Sequence, residues 1–159
     1  MTGLPSLGPR GEGWFVLQLL LLAAVVGGGL LFGPLLDGAA RFAAALAGLA
    51  LIVAGLGLAL AGISHLGRAA SPLPRPTAGG ALVEHGVYRL IRHPIYVGVL
   101  ASALGWALLM ASLAALLAVA LLALLLDLKA RREEAWLSER YPEYAAYVRR
   151  TRRFVPGMY

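Results

Sequence analysis

Long apolar runs separated by short polar stretches dominate the chain. Trp14–Leu36 is 23 residues without a charge, and Gln18 is its only strongly polar member. A helix of that length reaches about 34 Å, enough to cross a hydrocarbon layer of about 30 Å. Phe42–His65 is a second uncharged run, in which Gly48, Gly55, Gly57 and Gly62 lie among alanines. Such small residues predict a smooth helix face that packs closely on a neighbour. Ile95–Leu126 holds 32 uncharged residues, too long for one untilted crossing. Two short helices in a tilted hairpin fit it, with the turn near Met110-Ala111-Ser112, where neither Gly nor Pro marks the break. The pattern predicts an all-α integral membrane protein: four spans near 14–36, 42–65, 95–110 and 112–127, in a single membrane-embedded domain over 1–159.

The polar stretches carry the rest of the organisation. Residues 66–92 hold Arg68, Arg75, Arg89, Arg92, Pro72, Pro74, Pro76, Gly79, Gly80 and Gly86. A connection that long is commonly functional; the plainer alternative is a flexible linker. From Lys129 onward, Trp136, Leu137, Tyr141, Tyr144 and Tyr147 alternate with Arg and Glu, which reads as an amphipathic helix on the membrane surface, followed by the tail. The cluster Arg149, Arg150, Arg152 and Arg153 would draw anionic lipid headgroups.

Charge placement tests the hairpin. If residues 66–92 are cytoplasmic, the hairpin returns the tail to the same side, and the N-terminus joins it. Thirteen of the 14 Lys and Arg then share one face, with Arg41 alone opposite. This is the bias expected of a multi-pass protein with both termini in the cytoplasm, and a single long third span would destroy it. The net charge of +6 is therefore read as a topology signal and not as a nucleic-acid footprint. The composition, 60% hydrophobic and 14% charged, argues against a soluble or a disordered chain. With no cysteine, disulfides, thiolate metal sites and a cysteine nucleophile are excluded. No cleavable leader or targeting extension is evident, which makes a bacterial inner membrane the default location. The oligomeric state is left open.

Two polar segments converge under this topology. The first runs from Gly86 to Gly98 and contains Tyr88, Arg92, His93, Pro94, Ile95 and Tyr96. Pro94 suits the first turn of a helix, so part of the segment is simply a helix entry. The second is Lys129-Ala130-Arg131-Arg132-Glu133-Glu134. Glu134 reads best as part of a solvated charged face, whereas Glu133 is directed to the mouth formed with Arg92–Tyr96. His65, His85 and His93 have no metal-binding spacing, so no metal is expected. A carboxylate, arginines and aromatic faces together suit a zwitterionic cofactor, without fixing the chemistry.

These residues resemble a known family. Leu82-Val83, Gly86-Val87-Tyr88 and Arg92-His93-Pro94-Ile95-Tyr96-Val97-Gly98 look like the core motif of the isoprenylcysteine carboxyl methyltransferases. Glu133-Glu134-x-x-Leu137, Tyr141-Pro142-Glu143-Tyr144-x-x-Tyr147 and Val155-Pro156 are similar to that family's C-terminal signature. The stretch Leu104-Gly105-Trp106-Ala107-Leu108 is similar to the related phospholipid methyltransferases. The resemblance spans roughly residues 80–156. It implies a membrane methyltransferase using S-adenosylmethionine, with a membrane lipid or lipidated molecule as acceptor: an isoprenylcysteine-type carboxylate or a phospholipid headgroup amine. By the same resemblance Ala81, Leu82, Val83 and Tyr88 would line one side of the cofactor pocket and His93, Pro94, Ile95 and Tyr96 the other. Glu133 would hold the cofactor's ammonium, and Arg92, His93 and Glu133 are the catalytic candidates. Lys129 stands where family members carry an acceptor-facing arginine. Lysine keeps the charge but loses the bidentate fork, so it suits a phosphate as well as a carboxylate. Two alternatives from other classes are an NADPH-dependent membrane reductase related to the sterol reductases, and a non-enzymatic membrane scaffold.

Overall fold

The computed structural model describes residues 4–67, 70–75 and 81–155. Arg68, Pro76, Gly79, Gly80 and Pro156, named above, lie outside the described residues. Among the described residues five α-helices follow one another: α1 Glu12–Leu31, α2 Gly38–Leu66, α3 Pro94–Met110, α4 Leu113–Arg140 and α5 Tyr144–Arg150. A short 3-10 turn at Gly86–Arg89 precedes α3. Helices α1, α2 and α4 are long and apolar enough to cross a membrane, and α3 is a shorter apolar helix of 17 residues. Their outward faces expose large apolar side chains such as Leu20, Leu31, Phe42, Val53, Leu60, Leu117 and Leu121. In water such rows would aggregate; against lipid they are the favoured surface.

Several element ends differ from the hydrophobic pattern for local reasons. Helix α1 stops at Leu31 rather than Leu36, because Pro34 offers no N–H and disfavours helical backbone at Gly33. Helix α2 continues to Leu66 and ends where Gly67 takes a positive φ of 52°. The hairpin turn falls where expected. Ala111 adopts left-handed backbone (φ 50°), and Ser112 caps α4 by accepting from the Ala115 N–H at 3.4 Å. The Ser112 hydroxyl also donates to the Gly28 carbonyl at 2.8 Å, tying the turn to α1. The largest departure is α4. It does not end near Asp127, and no separate surface helix begins at Lys129. No Gly or Pro interrupts residues 113–140, so the helix runs on for 28 residues. Its outer part extends about 20 Å beyond Asp127. The short α5 follows as its own element.

Glycines set the packing. Helices α2 and α3 run antiparallel in backbone contact. A Cβ placed on Gly48 would lie 2.5 Å from the Gly105 carbonyl oxygen, and one on Gly98 would lie 2.5 Å from that of Gly55. Gly62 closes the seam against Ile95. Gly57, by contrast, faces open space, so the smooth face holds three of the four α2 glycines named from the sequence. Helix α1 lies on α4 through Gly28 and Ala115, and on α3 through Gly29 against Trp106 and Met110. Val25, Ala103, Ala118, Leu122 and Leu126 form the core between α1, α3 and α4.

The polar segments gather at one end of the bundle. Arg75 donates to the Pro9 carbonyl at 2.8 Å, and the Trp14 indole donates to that of Pro5 at 3.2 Å. The tail pairs with the entry to α3: Arg92 N–H donates to Arg152 O (2.8 Å) and His93 N–H to Arg153 O (3.2 Å), next to a parallel bridge between Ile91 and Arg152. The α3–α4 turn and the α1–α2 connection meet at the opposite end, where Leu35 N–H donates to Ala111 O.

Candidate functional site

Helix α4 carries the site into the polar end. Residues four apart share a helix face, so Lys129 and Glu133 point the same way, while Glu134 is turned about 100° from Glu133. Glu133 sits between two cavities. The first, about 110 Å³, is lined by Ala81, Leu82, Val83, Tyr88 and Tyr144 among others. The second, about 320 Å³, is lined by Phe15, Gln18, His93, Ile95, Tyr96 and Lys129 among others. Leu66, Ser71 and Glu133 belong to both walls.

The Tyr96 hydroxyl donates to Glu133 Oε2 at 2.7 Å, and the Tyr96 ring stacks on the His93 ring at 5.1 Å between centroids. Lys129 is 1% exposed. Its ammonium donates to Gln18 Oε1 at 2.7 Å and to the Pro72 carbonyl at 3.2 Å, and lies 5.1 Å from the centroid of the Tyr96 ring. The second cavity thus has a desolvated cation on its wall, held by a neutral amide. The first cavity is edged by tyrosines. Burial pushes the Tyr88, Tyr144 and Tyr147 hydroxyls above their usual range, so they remain neutral donors. Tyr147 donates to the Tyr88 carbonyl at 2.7 Å, which fixes the wall. The Tyr144 hydroxyl is buried and has no hydrogen-bond partner among the described residues. A buried hydroxyl left unmet beside a carboxylate and an apolar wall fits a ligand with an ammonium and its own polar edges.

The residues expected from the sequence fall into three places. Ala81, Leu82, Val83 and Tyr88 line the first cavity with Glu133. His93, Ile95 and Tyr96 line the second, across Glu133 from the first. Pro94 lines neither; it occupies the first turn of α3 and packs near Gly62. Arg92 lines the first cavity, but its guanidinium is engaged by Glu134 Oε1 (2.8 Å) and the Thr151 carbonyl (2.8 Å).

Glu134 corrects the sequence reading most sharply. It is no solvated charge: its side chain is 13% exposed and accepts from Arg92, from both Nε and Nη2 of Arg153, and lies 3.2 Å from His93 Nε2. Burial raises its carboxyl, but the hydrogen bonds from His93, Arg153 and Arg92 outweigh burial and hold it well below the usual carboxylate range. The basic tail is also partly committed to pairs within the chain, since Arg153 pairs with Glu134 and Asp127, and Arg150 with Glu84 at the surface. Gln18 and Tyr144 were not anticipated as site residues, nor Arg153 as the partner that holds Glu134 from outside the cavities. Gln18 had a signal, being the one strongly polar side chain of an apolar span, and such residues commonly mark function.

Over 78 residues the chain is 41% identical to the "Cobalt-zinc-cadmium resistance protein CzcN" of Cupriavidus metallidurans. That stretch is 48% of this chain, and the chain spans only 36% of the relative's length. Residues 43–144 match the phospholipid methyltransferase family, a stretch that runs from α2 to the first residue of α5 and holds Glu133, His93, Tyr96 and Lys129. Since the match takes in nearly two thirds of the 159 residues, this chain belongs to the phospholipid methyltransferase family.

Proposed function

We propose that the chain transfers a methyl group from S-adenosylmethionine to the headgroup end of a lipid-like acceptor at the cytoplasmic face of the membrane. The observation that carries this reading is Glu133 standing as the shared wall of two cavities of different character. Family membership favours methyl transfer over a reductase or a scaffold. We read the three long apolar helices and the shorter α3 as four spans, with both termini in the cytoplasm of a bacterial inner membrane. The supporting observation is that the N-terminal segment, residues 70–75, the entry to α3 and the tail meet at one end. Arg149 and Arg152 are the tail residues we assign to anionic lipid.

In this reading the first cavity takes the cofactor. Bound there, S-adenosylmethionine supplies a methyl group activated on a sulfonium sulfur. Glu133 holds its ammonium, and Tyr88 and Tyr144 offer hydroxyls to its polar edges. The second cavity takes the acceptor headgroup, with Lys129 on an anionic group. Phosphate of a phospholipid places the headgroup amine toward Glu133 and His93. A prenylcysteine-type carboxylate seated on Lys129 is the second reading, favoured by the same cation. The protein's contribution is to align the two reactants and exclude water, which accounts for most of the acceleration such a transfer needs.

Radiolabelled methyl transfer by detergent-purified protein into a panel of phospholipids and isoprenylcysteine analogues tests the proposal. Label in a lipid fraction supports it. Binding of NADPH without any binding of S-adenosylhomocysteine overturns it. Two variants probe the halves of the site. Glu133→Ala is expected to weaken S-adenosylhomocysteine binding by about 10- to 100-fold in calorimetry, the usual loss for a charge-assisted hydrogen bond. Lys129→Met is expected to raise the acceptor KM or abolish turnover, with S-adenosylhomocysteine affinity within about twofold. Because it removes a desolvated charge while keeping the side-chain volume, its stability should stay within about 1 kcal/mol of the parent. Lost cofactor affinity with normal acceptor kinetics would reverse the assignment of Lys129.

A further inference from the structure

His93 is 5% exposed and is the one histidine on the wall of the acceptor cavity. Its two nitrogens face different carboxylates: Nε2 lies 3.2 Å from Glu134 Oε1, and Nδ1 lies 3.8 Å from Glu133 Oε2. Glu134 lines neither cavity. It is ion-paired to Arg92 and Arg153, so it is a carboxylate and can only accept. In the neutral form of the ring, this network therefore places the proton on Nε2. That leaves the lone pair on Nδ1, beside Glu133 at the boundary of the two cavities. The ring stacks on Tyr96 and lies 5.8 Å from the Phe154 ring between centroids, and the His93 backbone is pinned to Arg153.

From this geometry we infer that Glu134 is a positioning residue that fixes His93 as the general base for a protic acceptor. The inference rests on the methyltransferase reading and deepens it. The groups facing the imidazole are Glu133 and Glu134 from α4, Tyr96 from α3, Arg92 beside it and Arg153 from the tail; Lys129 shares the cavity. A headgroup ammonium entering the cavity must lose its proton before its nitrogen can attack, because only the neutral amine has a free lone pair. That proton passes to His93 Nδ1. The freed nitrogen lone pair forms the N–C bond to the methyl carbon as the C–S bond breaks, its electron pair remaining on sulfur. The resulting imidazolium lies between two carboxylates and returns its proton to water after turnover. Glu133 is a poorer base, since its Oε2 already accepts from Tyr96 and the cofactor ammonium claims its charge.

The full chain in lipid nanodiscs provides the test, with phosphatidylethanolamine as the amine probe and an isoprenylcysteine as the carboxylate probe. Imidazole ¹⁵N spectra of the wild type are expected to show His93 as the Nε2–H tautomer; an Nδ1–H tautomer overturns the inference without any variant. His93→Gln is expected to lower kcat by about 10²- to 10⁴-fold and to remove the acidic limb of the rate–pH profile, with S-adenosylhomocysteine affinity and acceptor KM little changed. Glu134→Gln should flatten the same limb and mix the tautomers. Arg153→Gln weakens the same ion-pair network without touching the ring, and should keep both the limb and the tautomer. If Glu134→Gln and Arg153→Gln behave alike, or if only the carboxylate probe is methylated, Glu134 has no positioning role. Absence of S-adenosylhomocysteine binding by the wild type would overturn the methyltransferase reading itself, and the assignment with it.

Discussion

Alanine at Glu134 is expected to destabilise the fold by about 3–5 kcal/mol, the cost of removing one partner from a buried ion pair. The side chains of Arg92 and Arg153 are 8% and 18% exposed, and both point at this carboxylate. Without it two guanidiniums lose their shared anion, although Arg92 keeps its bond to the Thr151 carbonyl. The tail, which pairs with Arg92 and His93 through Arg152 and Arg153, should then be released. Thermal unfolding in detergent measures the loss, and protease susceptibility after residue 150 reports the release. Glu139, exposed on the same helix, is the comparison: alanine there should change stability by less than about 0.5 kcal/mol. The pH dependence has a definite sign. The folded carboxyl of Glu134 is held below its ordinary range, so its stabilisation is complete above the unfolded carboxylate range. It is lost as pH falls below about 4 toward the folded value. The wild type should therefore lose stability in acid more steeply than Glu134→Ala. A change under about 1 kcal/mol at neutral pH would return Glu134 to the solvated face that charge patterning alone assigns it.

What the chain reveals before folding depends on how far apart the deciding partners lie. The apolar runs needed only local pattern, and so did the Ser112 turn, where a capping side chain replaces the missing Gly or Pro. Helix ends were harder. Pro34 shortened α1, and Asp127 did not end α4, because one acidic residue is no obstacle to a helix. Glu133 and Glu134 are neighbours with identical chemistry, and their roles separate only in three dimensions. Glu134 is claimed by Arg153, 19 residues onward, and by Arg92, 42 residues back. Gln18 and Lys129 meet across 111 residues. Periodicity shows that Lys129 and Glu133 share a face, but not that α1 supplies the amide that holds the ammonium. The family motifs marked segments that meet at the polar end of the bundle. Division of those segments between two cavities follows from where α1 and the tail land, and both lie largely outside the matched stretch 43–144.

Leucine at Gly55 is expected to break the α2–α3 seam, while leucine at Gly57 should be tolerated. A Cβ at Gly55 would stand 2.5 Å from Ser102 Oγ and 2.6 Å from the Gly98 carbonyl oxygen, and α3 backbone cannot yield as a flexible side chain does. The helices must separate, at a cost of about 3 kcal/mol or more, beyond the gain of up to about 1 kcal/mol from replacing a helical glycine. The consequence reaches the site, because α3 carries Ile95 and Tyr96 directly after His93, and the end of α2 carries Ile63 and Leu66. S-adenosylhomocysteine affinity and thermal stability should fall together at Gly55. At Gly57 an added Cβ would meet no neighbouring helix within 4 Å, so the side chain is expected to point into lipid. Equal effects at the two positions would mean that α2 and α3 do not pack as described. In sequence these glycines look alike. Gly48, Gly55 and Gly62 recur every seven residues, two turns of helix, and so return to one face. Gly57 falls two residues out of that register, about 160° around the helix from the seam it had seemed to share.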